Sequence, residues 1–498
     1  MVASSLVLNN EYQYGISPMA VSYAELPQEE DIKWCTVSLA DVINAKKRLE
    51  AAVFDVDGKH ACEVITNCKW ESVPLPQILN KAYYPGRFKR IYSDTVNGAP
   101  FYLPSQMTDI YPKPEKYISA LTKCDISELR LKLGDVLLTR SGTIGNVTIV
   151  SKTLENTIFS DDVIRITPNG VMAGFVYSYL RSKIGSTILA TNRYGSVIQH
   201  IEPDHLADIS IPNPPDRIKI KINDFIMRSF SLRDESNELI DKATDLLIDA
   251  LKLPPVHEFE TSRFDNNSDV NNYNVKLSEL SGRLDGSYHV PVVAAIKEHL
   301  QKHAAEVTTV GDSRISKAII LPGRFKRVYV DEGQGVKFLG GKEIFQLNPN
   351  IEKYISIKAH KNQLEAGLSI KENSIITPAR GTLGSVALSP PHFYGWAISD
   401  NLMQIIGLPE TCGYLYIFLN SSYGSYLIKR FTYGGVVDAL EPSHLGSVEI
   451  PLLKDTDAQA EINNLALEAN ELRYQAYTLE QEAMKVMDEE VIYAKRGD

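Results

Sequence analysis

Two short basic blocks contain the residues whose types and spacing are best suited to chemistry. Residues 85–90 read Pro-Gly-Arg-Phe-Lys-Arg, and residues 322–327 repeat the same six letters. The stretch from Lys81 to Tyr92 contains four basic residues and no acidic one, and the stretch from Ser313 to Tyr329 contains five and none. Guanidinium and ammonium groups with no carboxylate nearby are suited to binding phosphate. The blocks therefore predict two matching anion-binding turns; the alternative is a solvated turn that only the fold maintains.

No motif in the sequence supports a catalytic centre. Asn213-Pro214-Pro215-Asp216 comes close to the Asn-Pro-Pro-aromatic motif of DNA adenine methyltransferases but lacks the aromatic residue, so we interpret the prolines as a linker. Gly340-Gly341-Lys342 resembles the end of a phosphate-binding loop, but Glu343 follows where such a loop has Ser or Thr. His205 and His444 recur together without a recognisable nucleophile or carboxylate pair, which favours a structural role. We therefore predict that the chain is not an enzyme and binds no metal.

The basic blocks belong to a longer duplication. Four further pairs of similar segments follow in the same order: 115–119 with 352–356, 142–145 with 381–384, 202–206 with 441–445, and 211–212 with 450–451. Their spacing of roughly 240 residues is far above the ~20–50 residues of a solenoid repeat. The chain therefore contains two similar domains, which we call heads, and we expect a function that a pair of heads performs.

The composition is that of a globular protein with an acidic balance. Of 498 residues, 44% are hydrophobic and 23% charged. The apolar runs are shorter than the ~18–20 residues of a membrane helix, and five cysteines show no paired or metal-binding spacing. We therefore expect a cytoplasmic location with reduced thiols. The net charge of −10 argues at first sight against a nucleic-acid partner, but eight acidic residues lie between Glu461 and Glu490, away from the basic blocks.

Two stretches outside the heads have the spacing of coiled-coil helices. Large and small side chains alternate at steps of three or four residues: Phe225, Ser229, Leu232, Ser236, Leu239, Ala243, Leu246 and Ala250, then Leu465, Ala469, Leu472, Ala476, Leu479, Ala483 and Val486. This seam predicts two helices of roughly 32–36 residues, each about 50 Å long at ~1.5 Å per residue. Small side chains on one helix leave room for large side chains of a neighbouring helix. We therefore favour the interpretation that the two helices form one antiparallel pair that joins the heads. The alternative is that each helix packs separately on its own head.

Within each head the pattern is mixed α and β. Residues 135–139 and 147–150 flank a Gly-Thr-Ile-Gly turn and predict a β-hairpin, residues 175–188 have helical spacing, and residues 208–212 predict a final strand. The predicted fold class is therefore α+β, with two similar mixed α/β heads joined by a pair of long antiparallel coiled-coil helices. The predicted bounds are a tail (1–26), the first head (27–212), a central helical spacer (213–254), the second head (255–452) and a C-terminal helical spacer (453–498).

The order of head, helix, head and helix resembles the specificity subunit of type I restriction-modification systems. Several motifs carry this resemblance: residues 133–138 lead into residues 140–145, and a Tyr-Gly turn, a Glu-Pro pair and a closing Ile-Pro precede the long helix. Residues 283–288, Arg-Leu-Asp-Gly-Ser-Tyr, look like the opening motif of this family, whereas their counterpart at 48–53 is degenerate. The resemblance covers nearly the whole chain after residue 26.

The resemblance implies a non-catalytic DNA-recognition subunit. Each head would be a target recognition domain that reads one half of a bipartite, asymmetric site in double-stranded DNA, and the helices would fix the gap between the halves. Two copies of a DNA adenine methyltransferase (modification) subunit would dock on the helices and transfer methyl groups from S-adenosylmethionine to adenine N6. This chain itself would need no cofactor and no membrane, and a restriction/translocase subunit would join where the system cleaves DNA.

Comparison of the two heads predicts which residues contact DNA. Phosphate contacts are expected to be the same in both heads because the DNA backbone is the same, whereas base contacts are expected to differ. Four corresponding positions have different residues in the two heads. Arg140 of the first head corresponds to Ala379 of the second, Arg193 to Thr432, Gln199 to Asp438, and His200 to Ala439. The predicted DNA-binding residues are Arg87, Lys89, Arg90, Tyr92, Arg140, Ser141, Thr143, Arg193, Tyr194 and Gln199 in the first head, and Arg324, Lys326, Arg327, Tyr329, Arg380, Thr382, Lys429, Arg430 and Tyr433 in the second.

A hypothesis from a different class stays open. A duplicated coiled-coil scaffold could hold protein partners without reading DNA. The acidic C-terminal helix suits protein docking under both hypotheses.

Overall fold

The computed structural model divides the chain into two compact units. It describes residues 36–44, 47, 49, 51–141, 145–170, 172–191, 200–261, 272–280 and 282–495. Unit 1 contains Pro112–Ser231 with the chain before Asp109 and after Tyr477, and unit 2 contains Leu232–Tyr477 with Asp109–Tyr111. The boundaries between the units therefore fall inside the two long helices, so each unit contains one head and part of each helix.

The described part of unit 1 consists of short strands, helices and 3-10 turns. Its strands are Ser72–Pro74 (β1), Leu79–Tyr83 (β2), Tyr92–Ser93 (β3), Gly98–Tyr102 (β4), Lys116–Ser119 (β5), Val136–Thr139 (β6), Val147–Ile149 (β7), Ile158–Phe159 (β8), Val163–Pro168 (β9) and Ser210–Pro212 (β10). Its helices are Leu39–Asn44 (α1), Val56–Asn67 (α2), Ile126–Leu129 (α3), Ala173–Arg181 (α4), Lys183–Thr191 (α5) and the first part of Asp216–Leu251 (α6). The 3-10 turns are Ala51–Phe54, Leu75–Ile78, Pro104–Gln106 and Pro203–Asp208.

Three small sheets position the loops of unit 1. Strands β1 and β10 form an antiparallel pair, and a four-stranded antiparallel sheet has the order β2-β9-β6-β7. A second four-stranded sheet has the order β3-β5-β4-β8, in which β4 and β8 run parallel. Val136, Ile149 and Ile164 are fully buried and pack with α4 and α5 into the main core of the unit, which is where β-branched strands are most stable.

Unit 2 has the same construction in its described residues. Its strands are Glu306–Thr309 (β11), Ser316–Ile320 (β12), Tyr329–Val330 (β13), Gly335–Leu339 (β14), Tyr354–Ser356 (β15), Ser374–Pro378 (β16), Ala387–Leu388 (β17), Ala397–Ile398 (β18), Leu402–Gly407 (β19) and Glu449–Leu452 (β20). Its helices are Val256–Thr261 (α7), Pro291–His303 (α8), Lys361–Gln363 (α9), Cys412–Asn420 (α10), Ser422–Lys429 (α11), Pro442–Gly446 (α12) and most of Thr456–Val486 (α13). Single 3-10 or π turns are Leu277–Glu279, Gly286–His289, Glu343–Phe345, Leu364–Leu368 and Pro391–Phe393, and the π turn Met487–Ile492 follows α13 in unit 1.

The strand order of unit 2 repeats that of unit 1. The pairs are β11-β20, then β12-β19-β16-β17, then β13-β15-β14-β18, and β14 and β18 are again parallel. The prediction of two similar mixed α/β heads with two long helices is therefore confirmed. The domain bounds predicted from the sequence stay predictions. The two compact units are a different division of the chain, with boundaries inside the long helices.

The secondary structure predicted within the first head is right in type and wrong in one detail. Strands β6 and β7 form the predicted hairpin, in which Val136 pairs with Ile149. The predicted helix at 175–188 is two helices that meet at Ser182. Its hydroxyl donates to the Tyr179 carbonyl at 2.7 Å and accepts from the Gly185 amide at 3.0 Å, so Ser182 ends one helix and caps the next.

The two long helices run antiparallel to each other within each unit. In unit 1, Lys221 near the start of α6 lies 2.8 Å from Glu490, which follows α13. In unit 2, Lys242 near the end of α6 lies 3.0 Å from Glu461 near the start of α13. These pairs are exposed and contribute little to stability, but they show the direction of the pairing.

The seam residues predicted on these helices differ in burial. Six of the small ones, Ser229, Ser236, Ala243, Ala469, Ala476 and Ala483, are fully buried, whereas Ala250, near the end of α6, is exposed, so the prediction that it lies in the seam is wrong. Leu232, Leu465 and Val486 are buried, and Phe225, Leu239, Leu246, Leu472 and Leu479 are half-buried. Ile222, Ile226, Ile240 and Leu247 of α6 are also fully buried and belong to the main cores of the heads. Each helix therefore packs on the other helix and on head residues at the same time.

A close contact between a glycine and a long helix recurs in both units. The Gly174 amide of α4 donates to Asn223 Oδ1 of α6 at 3.0 Å, and the Gly413 amide of α10 donates to Asn463 Oδ1 of α13 at 2.8 Å. A Cβ atom added at Gly413 would lie 2.2 Å from the Asn463 carbonyl oxygen. Glycine is therefore needed at this position to let the head helix approach the backbone of the long helix.

We expect Gly413→Ala to destabilise the protein. The added methyl group meets backbone atoms that cannot move without shifting a helix, and overpacking of this kind costs ~1–3 kcal/mol. Thermal unfolding of the purified protein measures the loss. Gly341→Ala is a matched control, because a Cβ at Gly341 meets no atom within 4 Å. Equal melting temperatures of the two variants would contradict the close-packing argument.

Candidate nucleic-acid interface

The two basic blocks lie in corresponding loops of the two units. The first connects β2 to β3, the second connects β12 to β13, and each starts at a buried proline, Pro85 or Pro322. The side chains of Arg87, Lys89, Arg324 and Lys326 are exposed. Within the described residues, none of these four side chains has an ion pair or hydrogen-bond partner. Each loop therefore exposes two cations to solvent a few residues after a proline that is buried in the head.

The last arginine of each block has a different environment. Arg90 donates to Asp161 at 2.6 Å, and Arg327 forms the equivalent ion pair with Asp400. Each guanidinium also lies over a ring of its own sheet, 5.5 Å from Phe101 and 5.2 Å from Phe338. These arginines attach the basic loop to the β4 or β14 strand, and their predicted role as DNA contacts stays untested.

The carboxylate partners of these arginines are residues that the sequence comparison missed. Ser160-Asp161 and Ser399-Asp400 recur in the same register as the Gly-Thr-Ile-Gly turns, so a repeat signal was present in the sequence. The following residues, Asp162 and Asn401, also have corresponding roles. Asp162 binds Arg140 at 3.1 Å, and Asn401 accepts from Arg380 at 3.1 Å.

Two exposed tyrosines lie beside the basic loops. Tyr92 and Tyr329 begin β3 and β13 and are 46% and 45% exposed. Their rings contact Phe101 and Phe338 at centroid distances of 6.4 and 6.2 Å. Each unit therefore presents an aromatic face and two unpaired cations in one loop region, a combination suited to a nucleic acid.

Arg140 is buried within unit 1, and both terminal nitrogens of its guanidinium have carboxylate partners. Its guanidinium contacts Asp162 and Glu202 and lies 4.3 Å over the Tyr84 ring. Burial alone would lower the pKa of Arg140, but the hydrogen bonds to Glu202 and Asp162 outweigh it and raise the pKa above its ordinary value. With this geometry the guanidinium links the chain after β6 to the turn between β8 and β9 and to the residue before the 3-10 turn Pro203–Asp208, and contact with a base would require these ion pairs to break.

The other predicted residues of the first head are only partly described. Ser141 Oγ donates to Asp162 at 2.7 Å and lies 2.8 Å from His200 Nδ1. Thr143, Arg193, Tyr194 and Gln199 lie outside the described residues.

In unit 2, a cavity of about 710 Å³ brings together three of the predicted residues, Thr382, Lys429 and Tyr433. The opening motif contributes Arg283 and Asp285 to the same wall. Sequence reasoning assigned that motif to no binding site, because only the fold brings residue 283 next to residue 432. Arg380 and Arg430 do not line the cavity.

The chain around this cavity is anchored by the opening motif. Arg283 forms an ion pair with Asp285 at 2.6 Å and donates to the Thr432 carbonyl at 3.0 Å. The guanidiniums of Arg283 and Arg430 both lie over the ring of Tyr288, at 4.8 and 4.2 Å. The backbone that enters the 433–439 loop is therefore held in place by side chains from the start of the head.

The described residues contain neither a metal-binding cluster nor a membrane-spanning helix. They contain no cluster of three or more His, Cys, Asp or Glu that could bind a metal ion. Among the same residues, no helix is both long enough and apolar enough to cross a membrane.

Comparison with known proteins identifies the class of domain in the first head. Residues 67–242 match the family model of the type I restriction modification DNA specificity domain. This part of the chain is therefore similar to the type I restriction modification DNA specificity domain, and the resemblance noted in the sequence is confirmed. No curated protein matches the chain.

Several solved structures are similar to the chain at low identity. One is the type I restriction-modification S subunit from M. genitalium, with 12% identity, a TM-score of 0.33, and coverage of 86% of this chain and 96% of that one. Another is the HsdS subunit from Thermoanaerobacter tengcongensis, with 15% identity, a TM-score of 0.26, and coverage of 86% and 97%.

Proposed function

We propose that this protein is the sequence-specific DNA-binding subunit of a type I restriction-modification complex. The observation that carries the proposal is the recurrence of one loop in two heads of the same topology. Each loop offers an exposed tyrosine and two exposed cations that have no partner among the residues that the structure describes. One of the two heads also contains the matched DNA specificity domain.

The net negative charge of the chain is compatible with DNA binding because the charges are segregated. The basic loops contain exposed cations, whereas eight acidic residues lie between Glu461 and Glu490 on α13 and the turn after it. A local cationic surface attracts phosphate even when the net charge is −10, because salt screens charges beyond ~8–10 Å. The basic loops are therefore the proposed phosphate contacts.

The proposed target is bipartite and asymmetric. Two heads of the same fold would each read one half-site, and the residues that differ between them would read different bases. In support, Asp438 is exposed in the loop where the first head has Gln199. These side chains have opposite preferences, since glutamine pairs with adenine and a carboxylate accepts from cytosine N4.

The proposed partners are double-stranded DNA and two copies of a DNA adenine methyltransferase subunit. The methyl donor, S-adenosylmethionine, would be bound by those subunits and not by this chain. The acidic surface of α13 suits docking of such a protein. A restriction/translocase subunit is proposed only for a complex that also cleaves DNA.

Methylation is expected to require both this chain and its modification subunit. The purified chain alone should transfer no methyl group to DNA. The chain with the modification subunit and S-adenosylmethionine should methylate adenine N6 at one bipartite site. Single-molecule sequencing of DNA from cells with and without the gene identifies that site.

A matched control uses the modification subunit alone. Methyl transfer by the purified chain would contradict the non-catalytic role. A methylome that is the same with and without the gene would favour the scaffold hypothesis instead.

A further inference from the structure

A short loop beside the cavity of unit 2 presents two apolar side chains to solvent. Val436 is 100% exposed and Val437 is 55% exposed. They lie in the middle of the 433–439 segment, which connects α11 to α12. Single exposed apolar residues are common in proteins, but here two β-branched residues are adjacent at a loop tip, and one of them is completely exposed.

The base of this loop is held firmly. Tyr433 and Ala439 exchange both backbone hydrogen bonds, at 3.1 and 2.8 Å. Tyr433 Oη donates to Glu441 at 2.6 Å, and the Gly381 amide donates to the Asp438 carbonyl at 3.0 Å. The tip is therefore a short hairpin that is fixed at both ends, and presenting it to a partner costs little conformational entropy.

The turn at the tip depends on one glycine. Gly434 has a φ of +119°, and a Cβ there would lie 2.3 Å from the Val437 carbonyl oxygen. Only glycine fits this backbone without strain. The turn sends Val436 outward, away from the core, so its exposure follows from the backbone conformation.

The surroundings of the tip indicate what kind of surface it meets. The adjoining cavity contains the exposed cation of Lys429, the hydroxyl of Thr382, the carboxylate of Asp438, and the guanidinium of Arg283, which is paired with Asp285. An apolar tip beside an exposed cation, a hydroxyl and a carboxylate fits a surface on which phosphates, hydrogen-bonding edges and apolar groups lie side by side. The major groove of DNA is such a surface, because each thymine places a 5-methyl group there.

The two heads share the apolar character of this tip in sequence. Val436-Val437 corresponds to Val197-Ile198, whereas the next residue changes from Gln199 to Asp438. Shared apolar residues beside a position that differs agree with a common methyl contact next to a base-specific contact.

We propose that Val436, supported by Val437, contacts the 5-methyl group of a thymine in the half-site bound by unit 2. This proposal rests on the proposed function and adds residues to it that the sequence did not single out. Contact with a methyl group is favoured over insertion between bases, because inserted wedges are typically larger residues such as Phe, Leu, Ile or Met. Arg283 acts as a positioning residue, since it binds the backbone that leads into the loop.

The test replaces thymine by uracil, which removes only the methyl group. Once methylome sequencing has identified the site, each thymine of each half-site is replaced in turn. Binding of the complete complex is then measured by fluorescence anisotropy. We expect a position in the half-site bound by unit 2 at which uracil weakens binding about fourfold, the effect of losing one buried methyl group.

The Val436→Ala variant links that position to the loop. The variant should bind the thymine site about as weakly as the unchanged protein binds the uracil site. Replacing that thymine by uracil should not weaken binding of the variant any further. Leu121→Ala removes an exposed apolar side chain of unit 1 (75% exposed) and should leave the uracil effect intact. The Val436 side chain has no packing to lose, so folding should be unaffected.

Three results would overturn the proposal while leaving the proposed function standing. The first is specific binding to half-sites in which uracil has no effect at any position. The second is a rise in 2-aminopurine fluorescence that depends on Val436, which would indicate insertion between bases. The third is loss of the modification subunit from the Val436→Ala complex, which would indicate protein docking. Absence of any site-specific binding would contradict the proposed function itself.

Discussion

Alanine substitution of Arg87, Lys89, Arg324 and Lys326 is expected to weaken DNA binding of the complete complex on the order of 1000-fold at ~0.1 M salt. All four side chains are exposed and unpaired within the described part of the chain. Each phosphate contact contributes ~0.9 to the slope of log affinity against log salt, so the slope should fall by about 3.6. The loss should be similar for specific and random DNA, because the phosphates carry no sequence information.

Binding titrations at several salt concentrations measure both the affinity and the slope. A control variant neutralises four exposed cations outside the basic loops, Lys183, Arg217, Lys302 and Lys495. It should change the affinity much less. If the loop variant lost affinity only when one particular base pair was present, the side chains would be reading bases and the phosphate assignment would be wrong.

Insertion of seven residues into both long helices is expected to lengthen the unread gap of the DNA site by about three base pairs. The insertions follow Ser231 in α6 and Tyr477 in α13, where the boundary between the units crosses each helix. Seven residues add ~10 Å at ~1.5 Å per residue and shift the seam by only ~20°, so the helices should still pair. At ~3.4 Å per base pair, 10 Å corresponds to three base pairs.

A methylome of the double-insertion strain measures the new gap, and both half-site sequences should be unchanged. The matched control carries the insertion in α6 alone. That variant mismatches the helices and should be unstable or inactive. Full methylation at the original gap by the double-insertion protein would show that something other than the helices sets the spacing.

The duplication made most of the fold predictable from sequence. Blocks repeated in the same order at a spacing of 237 to 239 residues predicted two similar heads, and alternating large and small residues predicted the long helices. The break at Ser182 was missed because apolar residues continue through it, and only the backbone shows that its hydroxyl caps a new helix. Local sequence patterns predict which residues are buried better than they predict where a helix ends.

The site was less predictable than the fold, because partners are distant in sequence. Arg87 and Arg90 are both cations of one short block, yet only Arg90 has a carboxylate partner, and that partner is Asp161. Arg140 appeared to be a base-reading candidate because it differs between the heads, but two acidic residues enclose it. A sequence shows that a charge is present, and only the fold shows whether it is already neutralised.

The first and last strands of each head pair with each other, which would allow a whole head to be replaced during evolution. In the first head, Ser72 of β1 lies opposite Pro212 of β10, and in the second, Glu306 of β11 lies opposite Leu452 of β20. The chain thus enters and leaves the sheets of a head side by side. A different head with the same two flanking strands could be exchanged as a cassette by recombination within the gene. The helices, and any partner docked on them, would be inherited intact while the recognised sequence changed.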